Sequence, residues 1–104
     1  MTDKKILLTT AGSADEARRI AEALVEGKLA ACVNIVPKIA SIYRWKGKVE
    51  QAEEWLLVIK TAVVFEKVRD AIREIHSYEL PECLAIAIED GSPEYLKWLA
   101  EASE

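Results

Sequence analysis

The stretch from Ala30 to Thr61 does most to constrain the fold. Two mostly apolar runs rich in β-branched residues, Ala30 to Trp45 and Val49 to Thr61, flank the turn signal Trp45-Lys46-Gly47-Lys48. Gly47 there supplies a positive φ, so the stretch reads as a hairpin. Its strands run roughly a dozen residues each, about twice the usual length. Trp55, Leu57 and Ile59 fall on one face of the returning strand. Pro37 lies in the middle of the outgoing one and has no amide proton to give a ladder. That strand is therefore an edge, a bulge, or both.

Shorter elements surround the hairpin. Lys5 to Thr10 reads as a first strand, broken by Gly12. Ser13 and Glu16 form a capping-box pattern, and Ala17, Ile20, Ala21, Leu24 and Val25 then repeat at helical spacing up to a stop at Gly27. A second helix covers Val64 to His76, with Val64, Val68, Ile72 and Ile75 as its apolar stripe. The segment from Ser77 to Glu82 is a loop, and Cys83 to Glu89 is a fourth strand, apolar on both faces. Asp90-Gly91 turns the chain into a last helix that Ser92 caps and Pro93 opens, with Leu96 and Leu99 pointing inward. Trp55 and Trp98 read as core or half-buried packing. The order β-α-β-β-α-β plus a C-terminal helix is the α+β, ferredoxin-like split βαβ sandwich, with a long hairpin between its second and third strands. Residues 1–104 form a single domain.

This layout puts the second and fourth strands at opposite edges of the sheet. Cys32 and Cys83 are then too far apart to pair, and both read as thiols of a reducing, cytoplasmic compartment. The far end of the hairpin has nothing of its own chain beside it, yet it carries Ile42, Tyr43, Trp45 and Val49. Such an edge calls for a second copy to cover it, the alternative being a hairpin that curls back on its own sheet. Tyr43 and Trp45 are the interface anchors this implies. With 14 basic and 18 acidic residues and no basic stripe, neither nucleic acid nor an anionic membrane is an expected partner. The start, Met1-Thr2-Asp3-Lys4-Lys5, runs straight into a strand pattern with no signal-peptide core. At 51% hydrophobic residues, the chain has material for a core that needs no metal to fold.

Several runs resemble the CutA family of divalent-cation tolerance proteins. They are Lys28-Leu29-Ala30-Ala31-Cys32-Val33-Asn34-Ile35-Val36-Pro37, Ser41-Ile42-Tyr43-Arg44-Trp45-Lys46-Gly47 and Ile59-Lys60-Thr61. Further along come His76-Ser77-Tyr78-Glu79-Leu80-Pro81-Glu82 and Glu94-Tyr95-Leu96-Lys97-Trp98-Leu99. Together they span nearly the whole chain in order. The resemblance implies a homotrimer built through the long hairpins, a cytoplasmic location and a role in tolerance to divalent metals, copper above all. The trimer it implies is similar to that of the PII-type signalling proteins, which suggests a binding or regulatory role over catalysis.

Two sites are candidates. The first is a metal site at His76, the only histidine, with Glu79 or Glu82 beside it and Cys32 as a weaker donor; imidazole and thiolate both suit copper. The plainer alternatives are a helix C-cap for His76 and a buried apolar role for Cys32. Some members of the family place a cysteine near the end of the first strand and paired histidines before the loop tyrosine. Here those positions hold Thr9 and Ile75-His76, so only one ligand of that set survives. The second candidate is a pocket at the subunit boundary, where Lys60, His76, Tyr78 and Glu82 would receive a small anion or a protein partner. Its plain alternative is a solvated lysine in an ordinary ion pair. No nucleophile–base pair and no phosphate-cradling glycine loop appears, and the chain reads as a non-enzyme.

Overall fold

A computed structural model describes residues 2–103. Seven elements follow one another: β1 (Lys5–Ala11), α1 (Ala14–Glu26), β2 (Cys32–Trp45), β3 (Lys48–Thr61), α2 (Phe65–Ile75), β4 (Leu84–Ala87) and α3 (Pro93–Ala102). The four strands form one sheet in the order β2-β3-β1-β4, every neighbour antiparallel. This is the split βαβ arrangement expected from the sequence. Cys32 and Cys83 lie toward opposite edges and are free thiols. No helix among the described residues is long and apolar enough to cross a membrane.

Strand alternation sorts the sheet into two faces. On one, Leu7, Leu57 and Ile59 meet Ile20 and Leu24 of α1 and Val68 and Ile72 of α2 in a fully buried core. On the other, Ile6, Leu8, Leu56 and Val58 line a face that α1 and α2 leave open. Leu84 and Ile86 of β4 continue it and are 57% and 51% exposed. Tyr95 and Trp98 of α3 stand at its side, rings 5.3 Å apart, with the Lys60 ammonium 5.8 Å from the Tyr95 ring.

The hairpin closes on the pair Trp45 and Lys48, with Lys46 and Gly47 both at positive φ (50° and 81°), as a type I′ turn requires. Pro37 resolves as both alternatives at once. β2 is the sheet's edge, and the register slips between Val36 and Ile39, so that Pro37 and Lys38 together stand opposite Trp55 in a bulge. Lys38 takes φ 55° there. Beyond the bulge the two strands run on as an arm, and the molecule is 44 Å long against 25 and 23 Å across.

Some local expectations give way to tertiary packing. Ser13 caps α1, its Oγ accepting from the Glu16 amide at 3.1 Å, but the Glu16 carboxylate does not fold back to Ser13. Gly27 ends α1 at φ −80°, and it is Lys28 that turns left-handed, at φ 60°. Val25 and Val64 are exposed: Val25 sits in the last turn of α1, and Val64 precedes the first turn of α2 in extended conformation. β4 is shorter than expected because β1 offers it only the Lys5–Leu8 window. Ser92 makes no side-chain cap bond, and Trp98 is exposed on the side of α3 away from Leu99.

Candidate functional site

The loop from His76 to Glu82 crosses from the end of α2 toward the start of the hairpin arm, and four polar side chains tie it down. His76 is the post. Its side chain has no exposure at all, and both ring nitrogens are engaged. Nε2 lies 2.6 Å from the Thr10 carbonyl, which can only accept, so Nε2 carries the proton. Nδ1 accepts the Tyr78 amide at 3.1 Å. With both nitrogens engaged inside the protein, neither has a lone pair turned outward.

Glu16 supports the post from α1. Its carboxylate accepts from the Ser77 amide at 2.8 Å and the Gly12 amide at 3.4 Å, and it stands 3.7 Å from His76 Nδ1. Burial pushes this carboxyl up, but the hydrogen bonds from Ser77 and the Gly12 amide outweigh that and hold it below its ordinary value.

Tyr78 carries the loop's chemistry outward. Its ring tilts against His76 with centroids 4.7 Å apart, and its hydroxyl donates to Glu54 Oε2 at 2.7 Å. Gly12 makes room: a Cβ there would stand 3.1 Å from the hydroxyl. Burial first, then the Glu54 charge, pushes the phenol above the usual tyrosine range, so it stays a donor. Glu54 is only 7% exposed, and no cation among the described residues lies within ion-pair distance of it. Burial and then the Glu54 charge raise the Glu82 carboxyl.

Glu54, Tyr78 and Glu82 wall a groove of about 1000 Å³ between the loop and the arm. Glu79 and Leu80 of the loop and Ser41, Tyr43 and Trp45 of the arm complete it. Lys46, at the arm's tip, holds its ammonium 5.6 Å from the centroid of the Trp45 ring. Glu54 and Leu56 fall on the open face by strand alternation, so the groove is the arm end of that face.

The sequence-derived candidates thus separate. Tyr78, Glu79, Glu82, Tyr43 and Trp45 meet at the groove, whereas His76 faces inward, away from both glutamates. No group of three His, Cys, Asp or Glu side chains among the described residues is placed to hold a metal. Cys32 lies across from Lys60 at the opposite end of the hairpin, its thiol 3.8 Å from Asn34 Oδ1. Thr9 is buried in the core with its hydroxyl unpartnered among the described residues, and Ile75 packs against the same core. Lys60 does not join the groove within one chain: from Glu54 to Lys60 the strand rises roughly 20 Å at about 3.3 Å per residue. Glu54 and Glu16 were not foreseen as site residues. Glu54 follows Glu50 and Glu53 in what reads as a solvated strand face, and nothing local marks it as buried. Glu16 was visible, but only as a capping partner.

Comparison with known proteins agrees with this architecture. Residues 5–102 match the family model described as CutA1 divalent ion tolerance protein. The Thermus thermophilus divalent-cation tolerance protein CutA is 48% identical over 99 residues, 94% of this chain and 96% of that protein. Protein CutA of Mus musculus is 45% identical over 89 residues, 85% of this chain but 50% of the mouse protein, so the chain spans about half the mouse protein's length. The solved structure of the periplasmic divalent cation tolerance protein CutA from Archaeoglobus fulgidus superposes with a TM-score of 0.91 at 45% identity, covering 97% of this chain and 99% of that one. With a family match over almost its whole length, on the sheet order and long hairpin described above, the chain belongs to the CutA1 divalent ion tolerance protein family.

Proposed function

We propose that this chain works as a cytosolic homotrimer that serves divalent-cation tolerance as a ligand-binding assembly, not as an enzyme and not through a preformed metal site at His76. The observation that carries the reading is the open sheet face. Leu84 and Ile86, more than half exposed in one chain, continue into Ile6, Leu8 and Val58, and the arm adds Tyr43 and Trp45 on the same face, while Ile42 and Val49 are bared on the other. A soluble chain does not leave so continuous an apolar surface to water, nor two bare sheet edges. Three copies meeting through that face and through the arms cover both, and set the groove of each copy at a subunit boundary.

The metal part of the reading is narrower than the family name. His76 would have to give up the Tyr78 amide before Nδ1 could take copper, and Cys32 stands at the other end of the sheet. Tolerance then arises from what the trimer binds in response to metal stress. A cytosolic site is in keeping with the two unpaired thiols; the archaeal relative named as periplasmic makes cell fractionation worth doing.

Native mass spectrometry during a copper titration tests the proposal in one experiment. The expected result is a three-chain mass with no discrete copper stoichiometry, the same for wild type and His76→Ala. A small integer number of coppers, lost in His76→Ala, would restore His76 as a metal ligand. A one-chain mass would remove the trimer.

A further inference from the structure

We propose that the outer face of each hairpin arm, carrying Ile42, Arg44 and Val49, docks on the loop of a neighbouring copy, with Leu80 as the apolar contact and Glu79 facing Arg44. The proposal rests on the trimer, and it names a contact that the open sheet face does not provide.

Three side chains pose the problem. Leu80, Ile42 and Val49 are the most exposed large hydrophobic residues among those described, at 71%, 69% and 62%. Ile42 pairs with Gln51 and Val49 with Arg44, so by strand alternation all four point away from Tyr43, Trp45 and the open face. Leu80 stands at the rim of the groove, in the loop. A two-stranded ribbon has little stability of its own, and one with apolar side chains on both faces needs a layer against each.

The chain's own loop is not that layer for the outer face. The Tyr78 hydroxyl ties the loop to Glu54, which lies on the inner face of the hairpin with Tyr43 and Trp45. The cover comes from another molecule, and charge says which surface. Arg44 has no carboxylate within ion-pair distance among the described residues, and its guanidinium donates to the Gly47 carbonyl at 3.4 Å. The loop is its complement: Glu79 and Glu82, both exposed, flank Leu80 and Pro81, and no lysine or arginine lies between His76 and Glu82.

A ring of three calls for such a match. Its contacts are heterologous, so each copy brings two unlike patches that fit each other, whereas a two-fold dimer needs one patch that fits itself. An apolar patch edged by an arginine and an apolar patch edged by glutamates make such a pair. The loop is also preorganised. His76, Glu16 and Tyr78 fix its start, so contact leaves less ordering to be done. The loop that walls one copy's groove thereby carries the next copy's arm.

Disulfide trapping in the full chain tests the contact. On a Cys32→Ser, Cys83→Ala background, Ile42→Cys and Leu80→Cys are made singly and together, mildly oxidised and run on non-reducing gels. The double variant is expected to link into two-chain and three-chain bands, and neither single variant to link. In a dilution series, Arg44→Glu and Glu79→Arg should each move trimer dissociation to about fivefold higher protein concentration, and the two together should return it toward wild type. All four positions are exposed in one chain, so these changes spare its fold. Trimers that stay unlinked in the double variant, or charge reversals without effect, overturn the contact and leave the outer face to a different protein. Linking by Ile42→Cys alone sets arm against arm and also overturns it. A wild-type chain that is monomeric fails the assembly reading, and this contact with it.

Discussion

His76 shows how a residue's type can be legible while its task is not. As the only histidine, at the end of a helix and next to a tyrosine, it invites a ligand reading. Its task is set by the carbonyl of Thr10, 66 positions earlier in the chain, which no local pattern reveals. Replacing it with alanine leaves that carbonyl and the Tyr78 amide without partners. His76→Ala should cost about 2 kcal/mol or more of stability, read as a lower denaturation midpoint. Glu16 makes a second prediction, in pH. Its folded-state carboxyl is held below its ordinary 4.5, so the folded state favours the ionised form. That contribution is fully present above 4.5 and is lost as the pH falls through the lower folded value. Acid titration of Glu16→Gln should therefore show a shallower loss of stability than wild type across the carboxylate range. An unchanged slope would assign the acid sensitivity to other groups.

At the scale of elements, the hairpin was the most legible part of the chain. Its length, its turn at Gly47 and its interruption at Pro37 all follow from residue types with steep backbone preferences. An edge strand, a bulge or both were foreseen at Pro37, but the left-handed residue within the bulge is Lys38, which no rule of composition singles out. A non-glycine residue there carries about 1–2 kcal/mol of steric strain, and glycine returns part of the relief as chain entropy. Lys38→Gly should raise the thermal midpoint slightly, worth about 0.5 kcal/mol net, and Lys38→Val should lower it. If valine were tolerated as well as lysine, the bulge would be able to relax out of that conformation. At the tip of the arm, Trp45→Ala should weaken assembly by about 2 kcal/mol or more per site, seen as a shift of the oligomer's dissociation to higher protein concentration. The helices were legible in position but less so in their edges: Val25 and Val64 fit the apolar period and still face water, because a period does not say where the neighbouring layer stops.

Over the whole molecule, the sheet order was legible because the element order allows few alternatives, and the pairing of Lys5 with Thr61 and of Ile6 with Ile86 bears it out. The groove was only half legible. Tyr78 and Glu82 stood out in the loop, but Glu54 comes from the far side of the hairpin and is buried by a fold-level contact. If three copies share the open face, unfolding is coupled to dissociation, and the denaturation midpoint should rise with protein concentration; an independent monomer would show no such dependence. The central position of β1 carries one further consequence. This strand leaves the ribosome ahead of both its neighbours, since β3 and β4 lie downstream of it. The hairpin can close locally as soon as it is made, but Ile6, Leu7 and Leu8 must wait for Thr61 and then Ala87 to be translated before both their edges are filled. The most buried strand of the finished sheet is the one the nascent chain leaves exposed for longest, and it is there that a chaperone would have most to hold.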